Sequence, residues 1–262
     1  MRKERIHKTA ILVVSFGTTH LDTLERSIKA TEDVIAESFP EYPVYRAFLS
    51  PTVMRRLKER YQLQVDNVTE ALNRIVEDGC QQVIIQPTLL LRAIEYELLL
   101  RKSKAAGLLV SMGRPLLENR EDCEALADLL IEENPLEEKE ALVLMGHGTE
   151  HSANDIYGVL QECFERRSYP CFIGTVDGTP TFADVVEQLK QIGVSKARLL
   201  PLMFVAGDHA RNDMAGEEDS LLAAVEAEGI QAEPVFHGLG ERKRVQKLYV
   251  ERIEEAMQEA AG

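Results

Sequence analysis

The chain has only four cysteines, Cys80, Cys123, Cys163 and Cys171, and no two of them form a CxxC pair. That scatter excludes a zinc knuckle, a disulfide framework and an iron–sulfur cluster, and it reads as buried, reduced thiols. Basic blocks are missing too. Thirty Lys and Arg face 44 Asp and Glu, a net charge of -14, which argues against a nucleic-acid partner and suits a divalent cation better. Long apolar runs are also absent. The charged start MRKERIHKTA leads into an apolar run of only about six residues, too short for a signal segment or a membrane span. The expectation is a cytoplasmic chain. Also lacking are GxGxxG after the first apolar run, GxxxxGK[ST], GxSxG and HExxH, so nucleotide, P-loop, nucleophile-elbow and zincin chemistries drop out.

What is present is a globular balance of 45% hydrophobic and 28% charged residues over 262 positions, enough for one large domain or two ordinary lobes. Strand-like and helix-like segments alternate throughout. Strands are expected at 10–14, 44–49, 82–86, 108–112, 141–145, 171–176, 197–205 and 232–236. Helices are expected at 21–38, 51–60, 69–77, 94–105, 120–133, 152–167, from Thr179-Pro180 to 193, 217–228 and 244–260. Strict alternation implies α/β architecture with parallel sheets flanked by helices. The polar connector after Asn134-Pro135 divides the chain into an N-terminal lobe, 1–135, and a C-terminal lobe, 136–262. AILVVSFGTTH from Ala10 and ALVLMGHGTEH from Ala141 align. They suggest two similar lobes facing one another across a central cleft, although shared α/β grammar alone would also produce such a match.

Two stretches carry the chemistry, LVLMGHGTEHS at 142–152 and LLPLMFVAGDHARNDMAG at 199–216. Each is a buried-strand pattern that ends on glycine and is followed within two residues by histidine. Open α/β sheets bind ligands at the carboxyl ends of their strands, so His147 and His209 are expected at one rim. His147 lies between Gly146 and Gly148, and Asp208 or Asp213 is placed to orient His209. Asp177 ends the strand at 171–176. With the two histidines it makes an open three-ligand set suited to Co²⁺, Fe²⁺, Ni²⁺ or Zn²⁺. Glu95, after the third strand, is a second acid of interest, though a helix N-terminus favours an acid there anyway. His151 reads as a solvated neighbour, His237 as less specific, and His7 and His20 as bland.

With these residues located, SFGTT near the N-terminus, EYE at 95–97, MGHG at 145–148, PLMFVAGDHARNDMAG at 201–216 and GLGE at 238–241 resemble the anaerobic sirohydrochlorin cobaltochelatase family of class II tetrapyrrole chelatases. The resemblance spans nearly the whole chain and implies two α/β lobes around a cleft. It also implies a metal-inserting lyase that places Co²⁺ into sirohydrochlorin or precorrin-2 on the anaerobic route to cobalamin. His147 would be catalytic base and metal ligand, His209 a second ligand, and Glu95 the acid of the EYE segment. Asp177 falls where the family usually carries glutamate, and the strand before EYE reads Pro87-Thr88-Leu89 where the family tends to carry a histidine. Arg92 and Arg211 would pair with the macrocycle's carboxylates, with Phe16 also meeting the macrocycle. No cofactor beyond the substrate metal is implied. Iron or nickel insertion and a non-catalytic tetrapyrrole or metal carrier stand as alternatives, and a homo-oligomer is left open.

Overall fold

The computed structural model describes residues 8–103 and 107–261. His7 and the end of the helix expected over 94–105 lie outside the described residues. The chain divides into two compact units, one running to Leu116 and resuming at Lys243, the other spanning Leu117–Arg242. Each holds a four-stranded, all-parallel sheet, as the alternating pattern requires.

In the first unit β1 (Thr9–Ser15), β2 (Val44–Phe48), β3 (Gln82–Pro87) and β4 (Leu109–Met112) stand in the order β2-β1-β3-β4. Successive β1 side chains point to opposite faces. Ala10, Leu12 and Val14 pack on Val68, Ala71, Leu72 and Ile75 of α4 (Val68–Glu77), which Asn67 and Glu70 open with a reciprocal capping box. Ile11 and Val13 face the other way, onto Ile35, Phe39, Ile253 and Ala256. The last two belong to α10 (Lys243–Ala261), so the closing helix returns to the first sheet.

The second unit repeats the plan with β5 (Glu140–Gly146), β6 (Cys171–Thr175), β7 (Lys196–Pro201) and β8 (Gln231–Pro234), in the order β6-β5-β7-β8. Its core sets Ala141, Val143 and Met145 against Val185 and Leu189 of α8 (Phe182–Ile192) and against Leu221 and Val225 of α9 (Leu221–Ala227). Within this unit α6 (Arg120–Glu133) packs on α7 (Ile156–Arg166).

The units therefore differ from the division at 135 expected from the sequence. The 134–139 connector joins α6 to β5 inside the second unit, and α10 crosses back to the first. Packing partners decide membership, and a polar linker does not reveal them.

Several element ends also differ from expectation, and two of them bear on the site. The strand expected over 197–205 stops at Pro201. The Leu202 N–H makes the next bond to β5, to the Met145 carbonyl at 2.8 Å, and β5 itself ends at Gly146. The helix expected from Thr179-Pro180 is capped instead by Thr181, whose Oγ1 accepts from the Asp184 N–H at 3.2 Å. The Pro180 carbonyl is held by Thr175, accepting from its N–H at 2.7 Å and its hydroxyl at 2.9 Å, so the turn begins only afterwards.

The duplication extends to single hydrogen bonds. The Ser50 N–H donates to Phe16 O at 3.2 Å and the Asp177 N–H to His147 O at 2.7 Å. Thr88 donates to Val14 O and Leu202 to Met145 O, both at 2.8 Å. Past the third strand of each sheet, Glu97 donates to Ala93 O at 3.1 Å and Arg211 to Gly207 O at 3.2 Å. Phe16 thus stands in the first unit where His147 stands in the second, and Glu95 where His209 stands.

Candidate functional site

In each sheet the first strand lies beside the third, and the second and fourth are outermost. The chain leaves the first and third strands at the reversal of strand order, where α/β sheets open their ligand crevice. In the second unit the segments at that point deliver His147, from β5, and His209, past β7.

Gly148 sets the path of the first segment. Its φ is +81°, and a methyl group there would lie 1.8 Å from the Asp177 carbonyl oxygen. Only glycine lets the turn after His147 run against the end of β6. The turn is further tied by the Thr149 N–H to Asn154 Oδ1 at 3.1 Å and by the Gly148 N–H toward the Tyr157 hydroxyl at 3.5 Å. Tyr157 is buried, and desolvation pushes its phenol up to about 12, so it remains a neutral, fixed support. His209 opens a helical turn that continues with the wider π-type spacing over Ala210–Met214. Such turns recur at functional sites because they displace side chains from regular helical register.

The two imidazoles meet edge to face, with ring centroids 4.7 Å apart and planes at 82°. His147 Nδ1 lies 3.0 Å from the Gly148 carbonyl oxygen. A carbonyl only accepts, so the proton sits on Nδ1 and leaves Nε2 with its lone pair. His209 Nδ1 lies 2.8 Å from Asp213 Oδ2, which puts its proton on the same nitrogen. Of the two acids expected to orient His209, the structure selects Asp213. Both rings reach the surface, His147 exposed and His209 half-exposed. With Nδ1 engaged in this way, each imidazole keeps an Nε2 lone pair that can bind a borderline divalent cation or accept a proton.

Of the expected trio of ligands, the structure brings His147 and His209 together. Among the described residues no group of three or more His, Cys, Asp or Glu side chains is placed to hold a metal ion. Asp177 is at the surface beside His147, but the bond between them is the backbone one from its N–H to the His147 carbonyl. Two residues past the end of β6, its main chain is engaged in holding the turn.

The remaining expected residues lie as follows. Arg211 is exposed on the turn that carries His209. Phe16, Arg92 and Glu95 belong to the first unit and are all exposed, Glu95 on the first turn of α5 (Ile94–Ser103). The Arg92 guanidinium lies 5.0 Å over the Tyr96 ring, a cation–π contact that steadies it on that turn. His151 is a structural cap, its Nδ1 accepting from the Ala153 N–H at 3.1 Å. His237 pairs with Glu241, its Nδ1 2.9 Å from Oε2. Sequence reasoning missed Asn154 and Tyr157 as supports of the His147 turn. It also missed the equivalence of Glu95 with His209, although LRAIEYE after Pro87 and FVAGDHAR after Pro201 offered a cue.

Residues 9–258 match the model of the cobalt chelatase (CbiK) family. The chain is 36% identical over 255 residues to the sirohydrochlorin cobaltochelatase of Salmonella typhimurium, covering 95% of this chain and 97% of that one. It is 31% identical to the sirohydrochlorin cobaltochelatase CbiKC of Nitratidesulfovibrio vulgaris, covering 95% and 91%. Among solved structures it is similar to SirB of Bacillus subtilis with Fe³⁺, with a TM-score of 0.64 at 19% identity over 95% of each chain. A second match is to the sirohydrochlorin chelatase SirB of Bacillus subtilis subspecies spizizenii in complex with cobalt, with a TM-score of 0.64 at 15% identity over 96% of each chain. These structural likenesses bear on the fold. The chain belongs to the cobalt chelatase family and is a metal-inserting enzyme.

Proposed function

We propose that this enzyme inserts Co²⁺ into sirohydrochlorin on the route to cobalamin, with the His147–His209 pair as its metal-handling and proton-accepting centre. The observation that carries the reading is the pair itself, two rings 4.7 Å apart whose Nδ1 atoms are both occupied by acceptors. Insertion exchanges two pyrrole N–H protons for one dication, so the macrocycle's charge is unchanged and two protons must be received. Neutral Nε2 atoms suit that task. The metal must also leave the protein, and a two-imidazole hold is weaker than the three- and four-ligand sets of resident metal sites. Glu95 receives the second proton in this reading. Arg92 and Arg211 take the macrocycle's carboxylates, and Phe16 stacks on its apolar plane.

The test is an absorbance assay with sirohydrochlorin and Co²⁺, Fe²⁺ or Ni²⁺ in parallel. Turnover is expected to be fastest with Co²⁺. His147→Ala and His209→Ala should each lower it by roughly 10²–10⁴-fold, with melting temperature unchanged because the rings reach the surface. Normal turnover in either variant removes that histidine from the mechanism, and a preference for iron or nickel overturns the choice of metal.

A further inference from the structure

The ladder equivalence pairs side chains of opposite character at the same place in the two sheets. Where the second unit has His147, Asp208, His209 and Asn212, the first has Phe16, Ile94, Glu95 and Leu98. Three of those four are apolar, yet Phe16 is 50% exposed, Ile94 56% and Leu98 40%. Ile94 and Leu98 stand four apart on α5 and share one helix face, with Glu95 beside them. Large apolar side chains clustered at a sheet's ligand-binding end, unlike scattered ones, mark a surface that something covers.

We infer that the outer face of α5, through Ile94 and Leu98, is the platform on which the flat face of the metal-free macrocycle rests before any metal arrives. The inference rests on the proposed function and adds to it two binding residues, Ile94 and Leu98. The occupant follows from the chemistry of the patch. A flat macrocycle with a carboxylated rim matches an exposed apolar helix face together with the exposed Arg92, two residues before that helix, whose guanidinium lies 5.0 Å over the Tyr96 ring. Glu95, beside the two apolar side chains, then borders the disc, where a pyrrole proton can reach it. The equivalent face of the second unit, with Asp208 and Asn212, offers an apolar plane no such surface and instead surrounds the imidazoles with polar groups.

The test titrates sirohydrochlorin into the full-length, metal-free protein and follows the macrocycle's absorbance, with Co²⁺ binding measured separately by calorimetry. Ile94→Ser with Leu98→Ser should weaken macrocycle binding on the order of tenfold or more, from the apolar area no longer buried. Co²⁺ affinity should not change. Leu109→Ser, at a still more exposed leucine (60%) at the opposite end of the same sheet, should bind the macrocycle like the parent. Ile94→Leu with Leu98→Met, which keeps the face apolar, should also keep parental affinity, and it separates loss of the platform from any loss of folding. Unchanged binding in the double serine variant overturns the inference, as does equal weakening in the Leu109 variant or in the apolar swap. If the parent protein itself does not bind sirohydrochlorin, it is the proposed function that fails.

Discussion

The two units are one fold used twice, and the places where they part show what each was built for. Their sheets share strand order, register and the hydrogen bonds that end each ladder, yet the side chains at equivalent positions differ in chemistry. At the ligand end Phe16 stands for His147 and Glu95 for His209. At the other end Thr9 and Gln82 share a hydrogen bond of 3.2 Å, where Glu140 and Lys196 form an ion pair of 3.4 Å. The backbone tolerates either choice because those positions lie at strand ends, where the ladder dictates direction and leaves chemistry free. A duplicated scaffold can thus specialise its halves without altering a single crossover.

The largest expected effect comes from the shared glycine turn. Gly148→Ala drives a methyl group into the Asp177 carbonyl, at 1.8 Å, with φ at +81°. It should cost about 3 kcal/mol or more of stability and abolish insertion, because the turn carrying His147 must move. The matching Gly17→Ala also has a positive φ, +103°, but its methyl would meet the Phe48 ring at 2.7 Å. A side chain yields more readily than backbone, so a smaller drop in melting temperature is expected. Equal losses would mean the two turns are under the same constraint.

The ionic end gives the next effect. Glu140 is buried, accepts from the Glu137 N–H at 3.0 Å and pairs with Arg198 at 3.0 Å as well as with Lys196. Burial alone would raise its carboxyl, but the Glu137 N–H and the two cations together hold it below its ordinary value of 4.5. A carboxyl lowered on folding stabilises the native state above 4.5, and that contribution disappears as pH falls through 4.5 toward its folded value. Glu140→Gln should cost about 2 kcal/mol at neutral pH and lose that penalty in acid, by denaturant titration at both pH values. Thr9→Val in the first unit should show a smaller cost and no pH dependence. A pH-independent Glu140 penalty would reduce the ion pair to packing.

The smallest effect separates two carboxylates near the pair. Asp213→Asn should weaken Co²⁺ binding by roughly tenfold, because the partner that fixes the His209 ring and tautomer becomes a neutral amide. Asp208→Asn should leave it near the parental value. The reverse order, read by calorimetry, would assign the orienting role to the wrong acid.

Much of this molecule was legible before any coordinates. Period and punctuation placed all eight strands, since apolar runs bounded by glycine, proline and capping residues have few alternatives. MGHG marked His147 because a short polar motif straight after a buried run sits at a strand's end, and GDHARND marked His209 although β7 ends eight residues earlier, at Pro201. What the sequence could not reveal was which helix packs on which sheet, so α10 was assigned to the wrong unit. It also could not show that Asp177 would contribute its main chain to the turn, or that Asp213 and not Asp208 would meet His209. Local composition by itself determined the elements, their order and the residues at their tips. Tertiary structure alone decided the partners, because a side chain's neighbours are set by the register and crossing of segments far apart in the chain, and that geometry is written in no single stretch of it.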